Sequence, residues 1–117
     1  MKQAVAFEWA EALESGEYEQ TFMISEDDGK FCVFGVLNQL AWHAGVVERT
    51  PYDTAYDDSY AYDGNPFGAP DSVVEWAGLR NREGKREGQR SLMQLNDSHE
   101  ASFQELAEII RAEWELL

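Results

Sequence analysis

Apolar residues recur at helical spacing near both ends of the chain. Between Val5 and Leu13 they fall on one face with glutamates between them, and Gly16 follows where helices usually end. Ser102 and Glu105 have the spacing of a capping box. A single apolar stripe runs on from there through Phe103, Leu106, Ala107, Ile110, Trp114 and Leu117. These patterns predict helices over residues 3–14 and 102–116.

The segment between residues 18 and 45 predicts a hairpin followed by a buried helix. Residues 22–24 (Phe-Met-Ile) are apolar and β-favouring, and the turn over 26–29 ends in Asp-Gly, a strong turn signal. Lys30 and Phe31 then predict a brief return strand. The apolar run that starts at Cys32 is too long for one strand and is apolar nearly all round. It predicts a helix over 32–44 that runs through the core.

The remaining segments are less regular. Ser72 and Glu75 form a second capping-box pattern and Gly78 follows, which predicts a helix over 72–77. Residues 91–95 predict a short strand or turn. Residues 46–70 show no periodicity and are broken by Pro and Gly, so we expect an irregular Tyr/Asp-rich insertion there. The whole pattern predicts one α+β domain over 1–117, with about four helices and a short antiparallel hairpin or small sheet.

Length and composition agree with a folded domain of this kind. The chain has 117 residues, of which 44 % are hydrophobic and 13 % aromatic. It has no apolar run of 18 residues, which excludes a membrane-spanning helix, and its first residues do not resemble a signal peptide. A single cysteine cannot form an internal disulfide, so we expect a reducing, cytoplasmic location.

The charge is strongly negative and unevenly placed. Twenty-three acids and nine bases give a net charge of −14. Acids dominate residues 1–28, 48–63 and 97–117, whereas Arg80–Arg90 carries five bases and two acids. Such a charge repels nucleic acid and anionic membranes, and it attracts proteins that have basic surfaces. We therefore expect no direct nucleic-acid or membrane partner, and we expect the basic loop to contact the acidic segments of its own chain.

The order of several short motifs resembles a known family. The motifs are Trp9-x-x-Ala12-Leu13-x-Ser15-Gly16-x-Tyr18-x-Gln20, Phe31-Cys32-x-x-Gly35-Val36-Leu37, Val73-x-x-Trp76-Ala77-Gly78-Leu79, Leu95-Asn96-Asp97 and Phe103-x-x-Leu106-Ala107-x-x-Ile110. Together they are similar to small accessory proteins encoded by tailed bacteriophages and prophages. The resemblance implies an origin, a phage protein that acts inside the host bacterial cytoplasm, and it implies no activity or catalytic residues.

The residues that could carry catalysis have structural interpretations that we favour. Cys32 near a helix start could be an activated thiol, but its neighbours are apolar and predict a core position. His43 is about 16 Å further along the same predicted helix, too far to act as its base, and His99 could approach only through the fold. Asp97 precedes a helix, where Asp usually forms turns and caps. We predict no catalytic site.

No metal or cofactor site is predicted either. Two histidines and one cysteine do not have the spacing of a zinc site. The aspartates between residues 53 and 63 lack the ligand rhythm of a calcium loop. The glycines at 64 and 68 are not followed by the Lys-Ser/Thr pair of a phosphate loop.

The segment 52–63 is the best candidate for a binding surface. Four tyrosines and four aspartates alternate there, and tyrosine is favoured at protein interfaces. The candidate residues are Tyr52, Asp53, Tyr56, Asp57, Asp58, Tyr60, Tyr62 and Asp63. A solvated loop that contains tyrosines by chance is an equally good interpretation.

These observations predict a non-enzymatic binding protein that engages a basic surface of a host protein. In its sharpest form the protein mimics nucleic acid and inhibits a host defence or DNA-processing system, with carboxylates in the place of phosphates. Two alternatives stay open. One is a virion or morphogenesis accessory protein, and the other is an enzyme of unfamiliar type that depends on Cys32.

Overall fold

The predicted α+β class and small single domain are confirmed. The computed structural model describes residues 1–52 and 58–117, and this part of the chain contains five α-helices and five short strands. The helices are α1 (Gln3–Glu14), α2 (Val33–His43), α3 (Asp71–Ala77), α4 (Leu92–Asp97) and α5 (Phe103–Glu113), and a 3-10 helix over Trp114–Leu116 continues α5. The strands are β1 (Glu19–Gln20), β2 (Glu26–Asp27), β3 (Lys30–Phe31), β4 (Arg49–Pro51) and β5 (Ser59–Tyr62).

Helices α1, α2 and α5 form the core, as their apolar patterns predict. The stripes of α1 and α5 are buried against each other, and the first six residues of α2 are all buried. Trp9 on α1 packs its ring 5.3 Å from that of Phe34, and its indole N–H donates to the Val33 carbonyl at 2.9 Å. No helix in the described ranges has the length and apolar character needed to cross a membrane.

Gly35 sets the distance between α2 and the chain that precedes the hairpin. A Cβ on this residue would lie 1.8 Å from the backbone oxygen of Ser25. The helix therefore packs directly on backbone at this point, which only glycine permits. Asn38, one turn further along α2, is fully buried beside the same segment and donates to the Ser25 hydroxyl and the Gly68 carbonyl.

The strands form one mixed sheet in the order β1-β3-β2-β5-β4. β1 pairs with β3 in parallel, and the other neighbours are antiparallel. Asp28 (φ +52°) and Gly29 (φ +74°) join β2 to β3, and two left-handed residues in a row are what a tight hairpin turn requires. The Asp-Gly turn is thus confirmed. The strand before it is Glu26–Asp27, however, and the prediction of a strand at 22–24 was wrong.

The predicted irregular insertion also contains regular structure. β4 and β5 pair in register, with Arg49 opposite Tyr62 and Pro51 opposite Tyr60, and β5 continues the sheet through β2. Strands of three and four residues are too short to show alternation in the sequence, and long-range pairing holds them in place.

Two helix predictions and one strand-or-turn prediction need correction. The helix predicted over 72–77 begins at Asp71 with Pro70 as its N-cap, and Ser72 is inside it, where its hydroxyl donates to Asp63 Oδ2 at 2.5 Å instead of capping. The segment predicted as strand or turn is α4, which has its own capping box formed by Ser91 and Gln94. The helix predicted over 102–116 is α-helical only to Glu113, and its Ser102–Glu105 capping box is confirmed.

Candidate functional site

The structure divides the tyrosine and aspartate residues of segment 52–63. Tyr52 and Asp58 are exposed, and Tyr60 is half-buried. Tyr62 is completely buried, so its assignment to a binding surface was wrong. Asp63 is exposed, but its carboxylate is already engaged within the chain, because it accepts hydrogen bonds from the Glu48 N–H and the Ser72 hydroxyl. The remaining candidates, Asp53, Tyr56 and Asp57, lie outside the described residues.

Tyr62 belongs to a buried polar network. Its hydroxyl lies 2.6 Å from Glu26 Oε1. The Arg49 guanidinium donates two hydrogen bonds to the same carboxylate, at 2.8 and 2.5 Å. The Arg49 guanidinium also lies over the rings of Tyr60, at 3.6 Å, and Trp42, at 5.0 Å. Burial and the Glu26 contact raise the pKa of Tyr62, and the hydrogen bond to Glu26 raises the pKa of Arg49. The network is structural, since its charged groups face one another inside the sheet.

Arginines of the basic loop form ion pairs with acidic residues of the same chain, as the charge of the loop predicts. Arg82 pairs with Asp71, Arg90 with Glu100 and Arg86 with Glu113. Arg86 is buried, and it also donates to the Arg90 carbonyl. The loop therefore closes on its own fold and offers little free positive charge to a ligand.

Ion pairing leaves the rest of the surface acidic. Six of the nine cationic side chains pair with a carboxylate in the part of the chain that the structure describes. Of the 21 acidic residues that the structure describes, 15 are outside these six pairs. Three of them, Glu8, Glu11 and Glu17, border a shallow groove whose other walls include the apolar Ala12 and Leu40.

A separate apolar cleft opens beside the hairpin, and sequence reasoning missed it. It has a volume of about 310 Å³ and is lined by Phe22, Met23, Ile24, Asp27, Tyr52, Ser59 and Phe67. Phe67 and Tyr52 meet edge to face at 6.3 Å between ring centres. Met23, Phe67 and Tyr52 are 68 %, 53 % and 42 % exposed, and these are the three most exposed large apolar side chains of this region. The sequence signal for the cleft is the apolar Phe-Met-Ile triplet at 22–24, whose β-favouring composition predicts a strand instead.

The backbone at Met23 is held in an unusual conformation. Its φ is +73°, and the Ile24 N–H donates across it to the Phe22 carbonyl at 2.9 Å, which is the pattern of a strained γ-turn. The Asp97 carboxylate accepts the Met23 N–H at 2.8 Å. The side-chain amide of Asn96, a fully buried residue, donates in turn to the Asp97 carboxylate at 3.0 Å.

His99 supports the same loop from the other side. Its ring stacks on Phe22 with 3.5 Å between centres and 14° between planes, and its own φ is +63°. His99 and Asp97, which could have taken part in catalysis, therefore both hold the wall of the cleft. Asp97 is a structural residue, as predicted, although it ends α4 instead of capping α5.

Cys32 occupies a structural position as well. It is buried at the N-cap of α2, where its sulfur accepts from the Gly35 N–H at 3.3 Å. Burial raises the pKa of the thiol to about 11, which outweighs the lowering by backbone hydrogen bonds and leaves it protonated at neutral pH. The predicted core role is confirmed. Across residues 1–52 and 58–117, no group of three or more His, Cys, Asp or Glu side chains is arranged to hold a metal ion.

Comparison with known proteins finds one family. The family model described as "Domain of unknown function (DUF8296)" matches residues 1–114, nearly the whole chain. No curated protein and no solved structure matches the sequence. The description of the family names no activity, substrate or partner.

Proposed function

The chain belongs to the DUF8296 family, and we propose that it is a non-enzymatic binding protein that engages a basic surface of a partner protein. One observation carries the proposal. Most cationic side chains form ion pairs within the chain, while 15 of the described acidic residues are outside such pairs. Charge of one sign on this scale attracts and orients a partner of the opposite sign.

The location of these acids supports the proposal. Glu8 and Glu11 are exposed on α1, and Glu105 and Glu108 are exposed on α5, the helix that packs against it. Residues three apart on a helix lie on the same side, so each helix presents a pair of neighbouring carboxylates. Spaced carboxylates on a folded surface can occupy the positions that phosphates take on a basic protein.

The narrower form of the proposal is a phage-encoded inhibitor. It rests on the resemblance of the ordered motifs to phage accessory proteins and on the net charge of −14. In this form the partner is a host protein of the bacterial cytoplasm that normally holds nucleic acid, and the acidic surface competes with that nucleic acid.

The test is affinity capture from a bacterial lysate with matched charge variants. One variant neutralises unpaired acids (Glu8→Gln and Glu108→Gln), and its control neutralises two acids that are already paired (Asp71→Asn and Glu100→Gln). Both change the net charge by the same amount. We expect a basic partner that is retained by the wild type and the control, is weakened by the first variant, and is released at about 0.5 M salt, where screening is strong.

Two outcomes would contradict the proposal. One is the recovery of no partner with a basic surface. The other is retention that is the same for all three proteins and at all salt concentrations. Competition between the captured protein's nucleic acid and the chain then tests the narrower form, because a mimic must displace DNA or RNA from its partner.

A further inference from the structure

The apolar cleft defined above is an unusual feature for a surface with so much charge. Its exposed side chains, Met23, Phe67 and Tyr52, belong to three separate segments that the fold brings together. Clustered exposed apolar side chains of this kind mark interaction sites more often than scattered ones do. A volume of about 310 Å³ is at the small end of ligand pockets and suits one large side chain.

The backbone strain at Met23 is a second, independent observation. A left-handed φ is unfavourable for a residue that has a Cβ atom, and Met23 has no turn-forming side chain to offset this strain. Within residues 1–52 and 58–117, the other non-glycine residues with positive φ are Asp28 and Asp63, which both precede glycine in tight turns, and His99, which stacks on Phe22. The strained residue thus carries the most exposed apolar side chain of the cleft, and strain is typically stored at functional sites.

A dedicated polar network keeps Met23 in this conformation. Asp97 accepts the Met23 N–H, and Asn96 donates both to Asp97 and to the Thr21 carbonyl. The Asn96 side-chain oxygen accepts from the Gln20 amide and from the Val33 N–H. The network anchors the loop at Thr21 and at Met23, so Met23 is displayed in one position, which lowers the entropy cost of binding.

The charge around the cleft selects the chemistry of its occupant. Asp27 lines the cleft, and none of the seven lining residues that the structure describes is cationic. Asp28 and Asp58 are exposed and adjacent, since the Asp28 N–H donates to the Asp58 carbonyl at 2.9 Å. A second copy of this chain is a poor occupant, because each copy carries −14.

We infer that the apolar cleft anchors the partner by taking one large apolar side chain from a segment in which Lys or Arg residues flank that side chain. The apolar residue packs between Met23 and Phe67, and the flanking cations meet Asp27, Asp28 and Asp58. This inference rests on the proposed function and adds to it a specific contact point and a partner sequence class.

A library of random twelve-residue peptides, displayed and panned on the wild-type protein, supplies the test ligand. The enriched peptide is then titrated against Met23→Gly, Phe67→Ser and a control variant, Leu116→Ser, which removes an exposed apolar side chain that does not line the cleft. We expect peptides with an apolar centre and flanking Lys or Arg. Both cleft variants should weaken binding about tenfold or more, and the control should leave it unchanged.

Folding controls keep this test decisive. Met23→Gly relieves the positive φ, so it should unfold at the same temperature as the wild type or higher, and lost binding cannot then come from lost structure. Replacing the central apolar residue of the peptide by Ser should weaken binding about tenfold, and replacing its Lys residues by Gln should reduce the salt dependence of binding.

Several results would overturn the inference. They are a failure to enrich any peptide, equal binding of the wild type and Met23→Gly, or equal binding of the Ser-centred peptide. A dimer in sedimentation experiments that Met23→Gly abolishes would instead name a second copy as the occupant. If the Ser-centred basic peptide still binds and responds to the Glu8 and Glu108 variants, the cleft inference fails while the proposed function stands. Failure of the proposed function shows separately, in the capture experiment.

Discussion

The Tyr62 hydroxyl donates a 2.6 Å hydrogen bond to the Glu26 carboxylate, inside the sheet. Tyr62 lies on β5 and Glu26 on β2, and Arg49 reaches the same carboxylate from β4. One buried acid therefore joins three strands, and its two partners lie 23 and 36 residues away from it in sequence. Because the strands themselves are very short, we expect side-chain contacts of this kind to determine whether they pair.

Removal of the cation should damage the sheet more than removal of the hydroxyl. Arg49→Met leaves Glu26 buried without a counter-charge, and we expect it to lower the free energy of unfolding by about 2–4 kcal/mol. Tyr62→Phe removes the hydroxyl that contacts Glu26 and Gln39, and it should cost about 1–2 kcal/mol. Urea unfolding measured by circular dichroism checks the order. The double variant Arg49→Met/Glu26→Leu should lose less than Arg49→Met alone, and a greater loss would contradict this account.

The free energy of unfolding at alkaline pH should depend on the ionisation of the Cys32 thiol. Burial raises the pKa of its thiol to about 11, above its value in an unfolded chain of about 9. Because the folded state holds the thiol proton more tightly than the unfolded chain does, the buried thiol stabilises the fold fully below pH 9. This stabilisation, up to roughly 3 kcal/mol, is lost as the pH rises toward 11. Unfolding midpoints between pH 8 and pH 11 test this.

Cys32→Ala is the matched control for the thiol. Its absolute stability should fall, because the N-cap contact to Gly35 is lost. Its stability should nevertheless decline less steeply with alkaline pH than that of the wild type. Tyr62, whose pKa is also raised, contributes in the same direction, so the comparison is best made in the Tyr62→Phe background. Parallel curves would show that the thiol does not titrate in this range.

The strain at Met23 can be measured by comparing glycine with alanine. At an ordinary exposed helix position such as Ala4, glycine is less stable than alanine by about 1 kcal/mol. At Met23, with φ of +73°, the order should reverse, and Met23→Gly should be more stable than Met23→Ala by about 1 kcal/mol. Thermal unfolding of the three variants provides the measurement. Equal stability of the two Met23 variants would mean that the loop relaxes and stores no strain.

Gly35 should tolerate no side chain. A Cβ there would meet the Ser25 backbone oxygen at 1.8 Å, so Gly35→Ala must push α2 away from the chain that it packs on. We expect a loss of more than about 3 kcal/mol or a failure to fold. Gly88→Ala is the control, because that residue has open space around it and only its φ of +73° is unfavourable, which costs about 1 kcal/mol. Similar effects at the two positions would contradict the close packing.

The arginines of the basic loop should differ according to burial. Arg86 is buried and holds Glu113 and the Arg90 carbonyl, so Arg86→Met should cost about 1–3 kcal/mol. Arg82 pairs with Asp71 on the exposed surface, and Arg82→Met should cost less than about 0.5 kcal/mol. Chemical denaturation of both variants tests whether the loop is part of the fold. Equal and small effects would identify it as a surface loop throughout.

Local patterns were sufficient for the elements that local forces determine. The stripe from Val5 to Leu13, the Ser102–Glu105 capping box and the Asp28-Gly29 turn each predict a structure that the protein has. The burial of Cys32 followed from its apolar neighbours. The pairing of the basic loop with acids followed from charge alone, because opposite charges on one small domain meet.

Only the tertiary structure decided the rest, because the determining contacts join residues distant in sequence. The sequence predicts Tyr62 as a surface residue. Its strand pairing with β4 and its hydrogen bond to Glu26 place it in the core instead. The cleft exists because Met23 and Phe67, 44 positions apart, line the same cavity, and Asp97 holds Met23 from still further along the chain. Spacing within a sequence carries no record of such contacts. The amino-acid sequence by itself thus determined α1, α2, α3 and α5 and the acidity, and the fold determined where an apolar cleft is exposed within that acidity.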